Sequence, residues 1–128
     1  MTAPTILVVD DDWSYRNMLR LILEGRGHVV LEAADGGEGL ALYEQHKPDV
    51  VITDMIMPGV EGGEVIAEIR KRGDRVGIIA VSGAGLFYNV DTVETAKRLG
   101  ADAILRKLDP MDRILIEVDR ALKLAQVT

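Results

Sequence analysis

Cysteine is absent from the 128 residues, which excludes disulfides, thiolate metal sites, iron–sulfur clusters and thiol nucleophiles, and fits a reducing cytoplasm. Long apolar runs are missing too. None approaches the roughly 18 residues of a membrane-spanning helix, and the start Met1-Thr2-Ala3-Pro4-Thr5 lacks the basic and apolar stretches of a secretory signal. Basic charge is short: 15 Lys and Arg face 21 Asp and Glu, a net charge of −6. That sign opposes attachment to phosphate backbones and anionic membranes, so neither direct nucleic-acid binding nor membrane insertion is expected. A soluble, cytoplasmic protein is expected, and its 48% apolar composition is enough to bury roughly two thirds of the unfolded surface in one core. One domain over residues 1–128 is expected, with no room for a second output domain.

Short apolar runs alternate with stretches of helical period. The runs are Ile6-Leu7-Val8-Val9, Val29-Val30-Leu31-Glu32-Ala33, Val50-Val51-Ile52-Thr53, Gly77-Ile78-Ile79-Ala80-Val81 and Ala103-Ile104-Leu105. Apart from the second they show no polar alternation, as expected of strands covered on both faces. Between the first two, Tyr15, Met18, Leu19, Ile22 and Leu23 form one apolar helical stripe that Gly25 and Gly27 terminate. Asp35 is placed to cap a second helix that ends near Glu44 or His46, before Pro48. A third helix is expected over Gly62 to Arg72, a fourth before Gly100, and a fifth from about Asp109-Pro110 with Ile114, Val118, Ala121, Leu122 and Ala125 facing inward. Right-handed crossovers and the need to cover both sheet faces make this a doubly wound α/β sandwich of five parallel strands and five helices.

In such a sheet, ligands bind beyond the carboxyl ends of the strands. Asp10, Asp11 and Asp12 follow the first run, Asp54 the third, Ser82 the fourth, and Lys107 lies just past the fifth. From Asp10 to Lys107 is 97 residues, about 24 for each of four βα steps, which places all of them at one edge. The second strand contributes nothing chemical, as expected if it lies at the edge of the sheet. Carboxylates gathered there repel by several kcal/mol at an effective dielectric near 20, so a positive partner is required. Mg²⁺ takes one or two carboxylates and leaves room for phosphate. Asp54 as nucleophile, Mg²⁺ as charge acceptor, and Lys107 with Ser82 as fixed donors then supply the parts of a phosphoryl transfer. Blander readings exist: Asp12 as a helix N-cap, Lys107 as a solvated lysine, Ser82 bonded to its own backbone.

The ordered set Ile6-Leu7-Val8-Val9-Asp10-Asp11-Asp12, Asp54-Met55-Ile56-Met57-Pro58-Gly59 with Gly62, Val81-Ser82-Gly83, and Gly100-Ala101-Asp102 leading to Lys107 resembles the receiver domains of two-component response regulators over essentially the whole chain. The resemblance implies a flavodoxin-like three-layer sandwich of strand order 2-1-3-4-5. It also implies that Asp54 accepts a phosphoryl group from a phosphohistidine on a sensor histidine kinase or histidine phosphotransfer protein. Mg²⁺ would sit on Asp11, Asp54 and the Ile56 backbone carbonyl, with Asp10 holding a water of the metal's shell, while Lys107 and Ser82 grip phosphate oxygens. Only weak self-catalysed chemistry is implied, a switch rather than an enzyme, read by a downstream effector protein at the face of the fourth helix, fifth strand and fifth helix.

Two positions depart from that pattern. Leu108 stands where the family usually has Pro after the Lys, so Lys107-Leu108 is expected to be trans, since a cis bond there costs about 2.5–4 kcal/mol; Lys107 is then expected to be slightly displaced. Ile104 replaces the family's switch aromatic, which removes a ring flip as the readout. The stretch Gly83-Ala84-Gly85-Leu86-Phe87-Tyr88-Asn89 reads as a docking loop or as core packing, and Trp13 as a shield for the acidic edge or as packing at a helix start. Competing functions are a pseudo-receiver that binds protein without phosphorylation, an aspartyl phosphatase, and a flavin-binding module. The phosphatase is opposed by Ile56, which stands where a second acid is needed. The flavin reading is opposed by Asp10 and Asp11, which would repel the flavin phosphate.

Overall fold

The computed structural model describes residues 3–55, 62–83 and 90–126. Its elements alternate without exception: β1 (Thr5–Val9), α1 (Trp13–Gly25), β2 (Val29–Ala33), α2 (Gly36–His46), β3 (Val50–Asp54), α3 (Gly62–Lys71), β4 (Gly77–Ser82), α4 (Val90–Leu99), β5 (Ala103–Arg106) and α5 (Met111–Gln126). The strands form one parallel sheet in the order β2-β1-β3-β4-β5, so the expected architecture and strand order hold.

Side-chain alternation along each strand divides the core in two. Ile6, Val8, Ile52, Ile79, Val81 and Leu105 face α1 and α5, where Tyr15, Leu19, Leu23, Ile114 and Val118 meet them. Leu7, Val9, Val51, Ile78 and Ala80 face the opposite layer, closed by Tyr43 of α2, by Val65, Ile66 and Ile69 of α3, and by Ala96 of α4. Most of these side chains are fully buried, each stabilising the fold by about 1.5–3 kcal/mol relative to exposure. Among the described residues no helix is long and apolar enough to cross a membrane.

The helix ends follow the local chemistry. Asp35 Oδ1 accepts from Glu38 N at 2.8 Å as the α2 N-cap, and Gly100 at φ +117° closes α4 in a conformation that L side chains rarely adopt. No peptide bond among the described residues is cis, so Lys107-Leu108 is trans as expected.

Candidate functional site

Four of the five strands deliver a polar side chain to one edge of the sheet. β1 runs directly into Asp10, β3 ends on Asp54, β4 ends on Ser82, and Lys107 follows β5. Parallel register keeps them level: Asp54 pairs with Val81 and Ser82 with Arg106. The ladders continue one step further, Asp10 N donating to Ala33 O at 3.0 Å and Lys107 N to Ser82 O at 3.2 Å. Asp10, Asp54 and Ser82 are buried, while Asp11 is exposed.

Carboxylate oxygens of Asp10, Asp11 and Asp54 lie within 4.8 Å of one another. At that separation each pair of charges repels by about 3–4 kcal/mol at an effective dielectric of 20. The protein offsets this itself. Lys107 Nζ sits 3.1 Å from Asp10 Oδ1, 3.2 Å from Asp54 Oδ2 and 3.7 Å from Asp12 Oδ2. The positive partner that the acids demand is therefore built into the fold, and Lys107 reaches the acids despite Leu108. Burial, and secondarily the charge of Asp54, push the Asp10 carboxyl up to about 6, against the opposing pull of its hydrogen bond from Asp12 N and of Lys107. Burial alone works downward on Lys107, but the charges of Asp10 and Asp54 and the hydrogen bonds to them outweigh it, and its ammonium is held above the usual lysine value.

Asp12 takes the N-cap role, its Oδ1 accepting from Ser14 N at 3.0 Å and Tyr15 N at 3.4 Å. Trp13, the first residue of α1 and next in the chain to Asp12, is 64% exposed, so the packing reading does not hold. Ile56, with Met57-Pro58-Gly59, and the aromatic stretch 84–89 lie outside the described residues.

The oxygen-only donor set suits a hard divalent cation such as Mg²⁺. Asp10 Oδ2 and Ser82 Oγ are buried and have no hydrogen-bond partner among the described residues, so a carboxylate oxygen free to face a cation or its water and a hydroxyl free to donate to a phosphate oxygen both stand at this edge. The residues present fit the metal.

Three supporting residues escaped the sequence reading. Arg16 Nη1 donates to Asp10 O at 2.7 Å while its Nε donates to Glu32 Oε1 at 3.0 Å, and Arg20 Nε holds the other Glu32 oxygen at 3.1 Å. The second strand is thus not chemically silent: through Glu32 it orients the arginine that fixes the Asp10 backbone. The visible signal was Glu32, a charged residue inside an otherwise apolar run. Gly62, noted only as part of a motif, is required sterically, because a Cβ there would fall 1.6 Å from Asp54 O. The start of α3 therefore rests directly on the Asp54 backbone.

A parallel five-stranded sheet of order 2-1-3-4-5 with acids, a serine and a lysine converging beyond its carboxyl edge defines a class of signalling domain. The response regulator receiver domain family matches residues 6–119, and the chain belongs to that family. Protein PilH of Pseudomonas aeruginosa is 38% identical over 107 residues, covering 84% of this chain and 86% of that protein. Sporulation initiation phosphotransferase F of Bacillus subtilis is 29% identical, covering 97% and 98%. Three relatives named as transcriptional regulators are longer, and the chain spans 38%, 35% and 52% of their lengths. Among solved structures, a CheY-like receiver domain protein of Methanospirillum hungatei superposes with a TM-score of 0.89 at 28% identity, covering 98% of both chains.

Proposed function

We propose that this chain is a phosphorylatable switch of a two-component phosphorelay in which Asp54 accepts the phosphoryl group from a phosphohistidine on a sensor histidine kinase or histidine phosphotransfer protein. A carboxylate oxygen of Asp54 attacks phosphorus as the donor's P–N bond breaks. The departing imidazole nitrogen keeps the bonding pair, and an acyl phosphate remains on Asp54. Asp10, Asp11, Asp54 and the Ile56 carbonyl would hold Mg²⁺, which offsets charge on the transferring phosphoryl oxygens. Lys107 and the Ser82 hydroxyl would grip those oxygens from the other side. The chain then acts as a switch with only weak self-catalysed phosphoryl chemistry, not as an enzyme.

The observation that carries this reading is the Lys107 ammonium lodged between Asp10 and Asp54 at 3.1 and 3.2 Å. A cation already within bonding distance of the acceptor carboxylate needs little rearrangement to meet a phosphoryl group attached to it. Output through the α4-β5-α5 face is supported by a cleft of about 420 Å³ there, lined by Val93, Lys97, Ile104, Arg106 and Glu117 among others. Since β4 and β5 pair at Ser82 and Arg106, a shift of Ser82 toward phosphate would be felt at that cleft by a downstream effector protein.

Incubation with acetyl phosphate and Mg²⁺ tests the reading by intact mass. Wild type is expected to gain one phosphoryl group and Asp54→Asn none. No gain in wild type, with partner affinity unchanged in Asp54→Asn, would instead favour a protein-binding module that is never phosphorylated.

A further inference from the structure

Tyr15 has no part in the reaction as set out above, and its place at the top of the α1 stripe reads as ordinary core. Two observations set it apart. Lys107 Nζ lies over its ring, 5.3 Å from the centroid, and its hydroxyl is buried with no hydrogen-bond partner among the described residues. A leucine would fill the hydrophobic role at this position without burying an unpaired hydroxyl. The ring also lies close to the acids: burial first, then the charges of Asp10, Asp109 and Asp54, raise the phenol above its ordinary value. Meanwhile the residue after the lysine, Leu108, is 81% exposed and gives the Lys107 loop no side-chain anchor. Asp109 Oδ2 fixes the backbone of that turn by accepting from Arg106 N at 2.8 Å, so the side chain of Lys107 is directed by what meets its ammonium, the carboxylates and the Tyr15 ring.

We propose that Tyr15 is a positioning residue whose aromatic face holds the Lys107 ammonium between Asp10 and Asp54, doing for this lysine what its exposed neighbour Leu108 does not. This deepens the receiver reading and rests on it for its consequence in phosphoryl transfer. The ring's negative face attracts an ammonium most strongly where water is partly excluded, as it is beside two buried carboxylates.

The test separates ring from hydroxyl and placement from function. In metal-free protein, the Lys107 ε-methylene protons are expected upfield of the other lysines by the ring current of Tyr15, to stay there in Tyr15→Phe, and to return to the common position in Tyr15→Leu. The acetyl phosphate reaction is expected to slow on the order of fivefold in Tyr15→Leu, the effect of an average cation–π contact, with Mg²⁺ affinity unchanged and Tyr15→Phe at the wild-type rate. An ordinary Lys107 shift in wild type overturns the proposal, even if Tyr15→Leu does not fold. So does a folded Tyr15→Leu that reacts at the wild-type rate. If wild type shows the upfield shift but takes no phosphoryl group, the receiver reading fails while the placement of Lys107 by Tyr15 stands.

Discussion

Replacing Asp10 by Asn should stabilise the metal-free protein, and by an amount that depends on pH. Asp10 is 1% exposed and its carboxyl is raised from an ordinary 3.8 to about 6. Between those values the folded chain binds a proton that the unfolded chain has released, so stability falls as pH rises through the window and stays low above it. The shift of about two units corresponds to about 2–3 kcal/mol at pH 7.5. Asparagine keeps the oxygen that accepts from Asp12 N and removes the charge, and Lys107 retains Asp54. Urea unfolding in EDTA should therefore show Asp10→Asn more stable than wild type by about 2–3 kcal/mol at pH 7.5. At pH 4.5, where the folded wild type is already protonated, the gain should drop to about 1 kcal/mol. A gain of equal size at both pH values, or none at pH 7.5, would refute the claim that buried charge at Asp10 strains the empty site.

The remaining predictions concern the cation and the supports of the site. Mg²⁺ at 100 times its dissociation constant should stabilise wild type by about 2.7 kcal/mol, and calorimetry should find this response largely lost in Asp11→Asn. Trp13 fluorescence should change on adding Mg²⁺, since this exposed residue follows Asp10, Asp11 and Asp12 directly in the chain; an unresponsive signal would count against an ion at that edge. Arg16→Met leaves Glu32 without its closest donor and frees the Asp10 carbonyl, so a loss of about 1–3 kcal/mol in denaturant melts is expected. Gly62→Ala should lose more than about 3 kcal/mol despite alanine's better helix propensity, because its methyl collides with Asp54 O.

The strands and their polar ends could be read from the sequence because both rest on local signals: Val- and Ile-rich runs, and a parallel sheet that brings every carboxyl end to one side. Asp10, Asp54, Ser82 and Lys107 converge for that reason, and Asp12 caps α1 as short acids before helices do. What stayed hidden depends on three-dimensional approach. The acids' charge demanded a cation, but the ammonium of Lys107, 97 residues away in sequence, supplies it in the metal-free fold. Apolar periodicity registers Tyr15 as core and says nothing of what lies above its ring. Arg16 and Glu32 meet only because β2 lies beside β1, and the Gly62 contact depends on where α3 begins.

In the proposed reaction the Asp54 carboxylate itself becomes the acyl phosphate. Reductive trapping tests it most directly: after reaction with acetyl phosphate and Mg²⁺, borohydride converts an aspartyl phosphate into homoserine, and peptide mass mapping locates it. Homoserine is expected at position 54, none elsewhere, and none without Mg²⁺. Trapped product at Asp10 or Asp11, or phosphate on Ser82 with residue 54 unchanged, would contradict phosphorylation of Asp54.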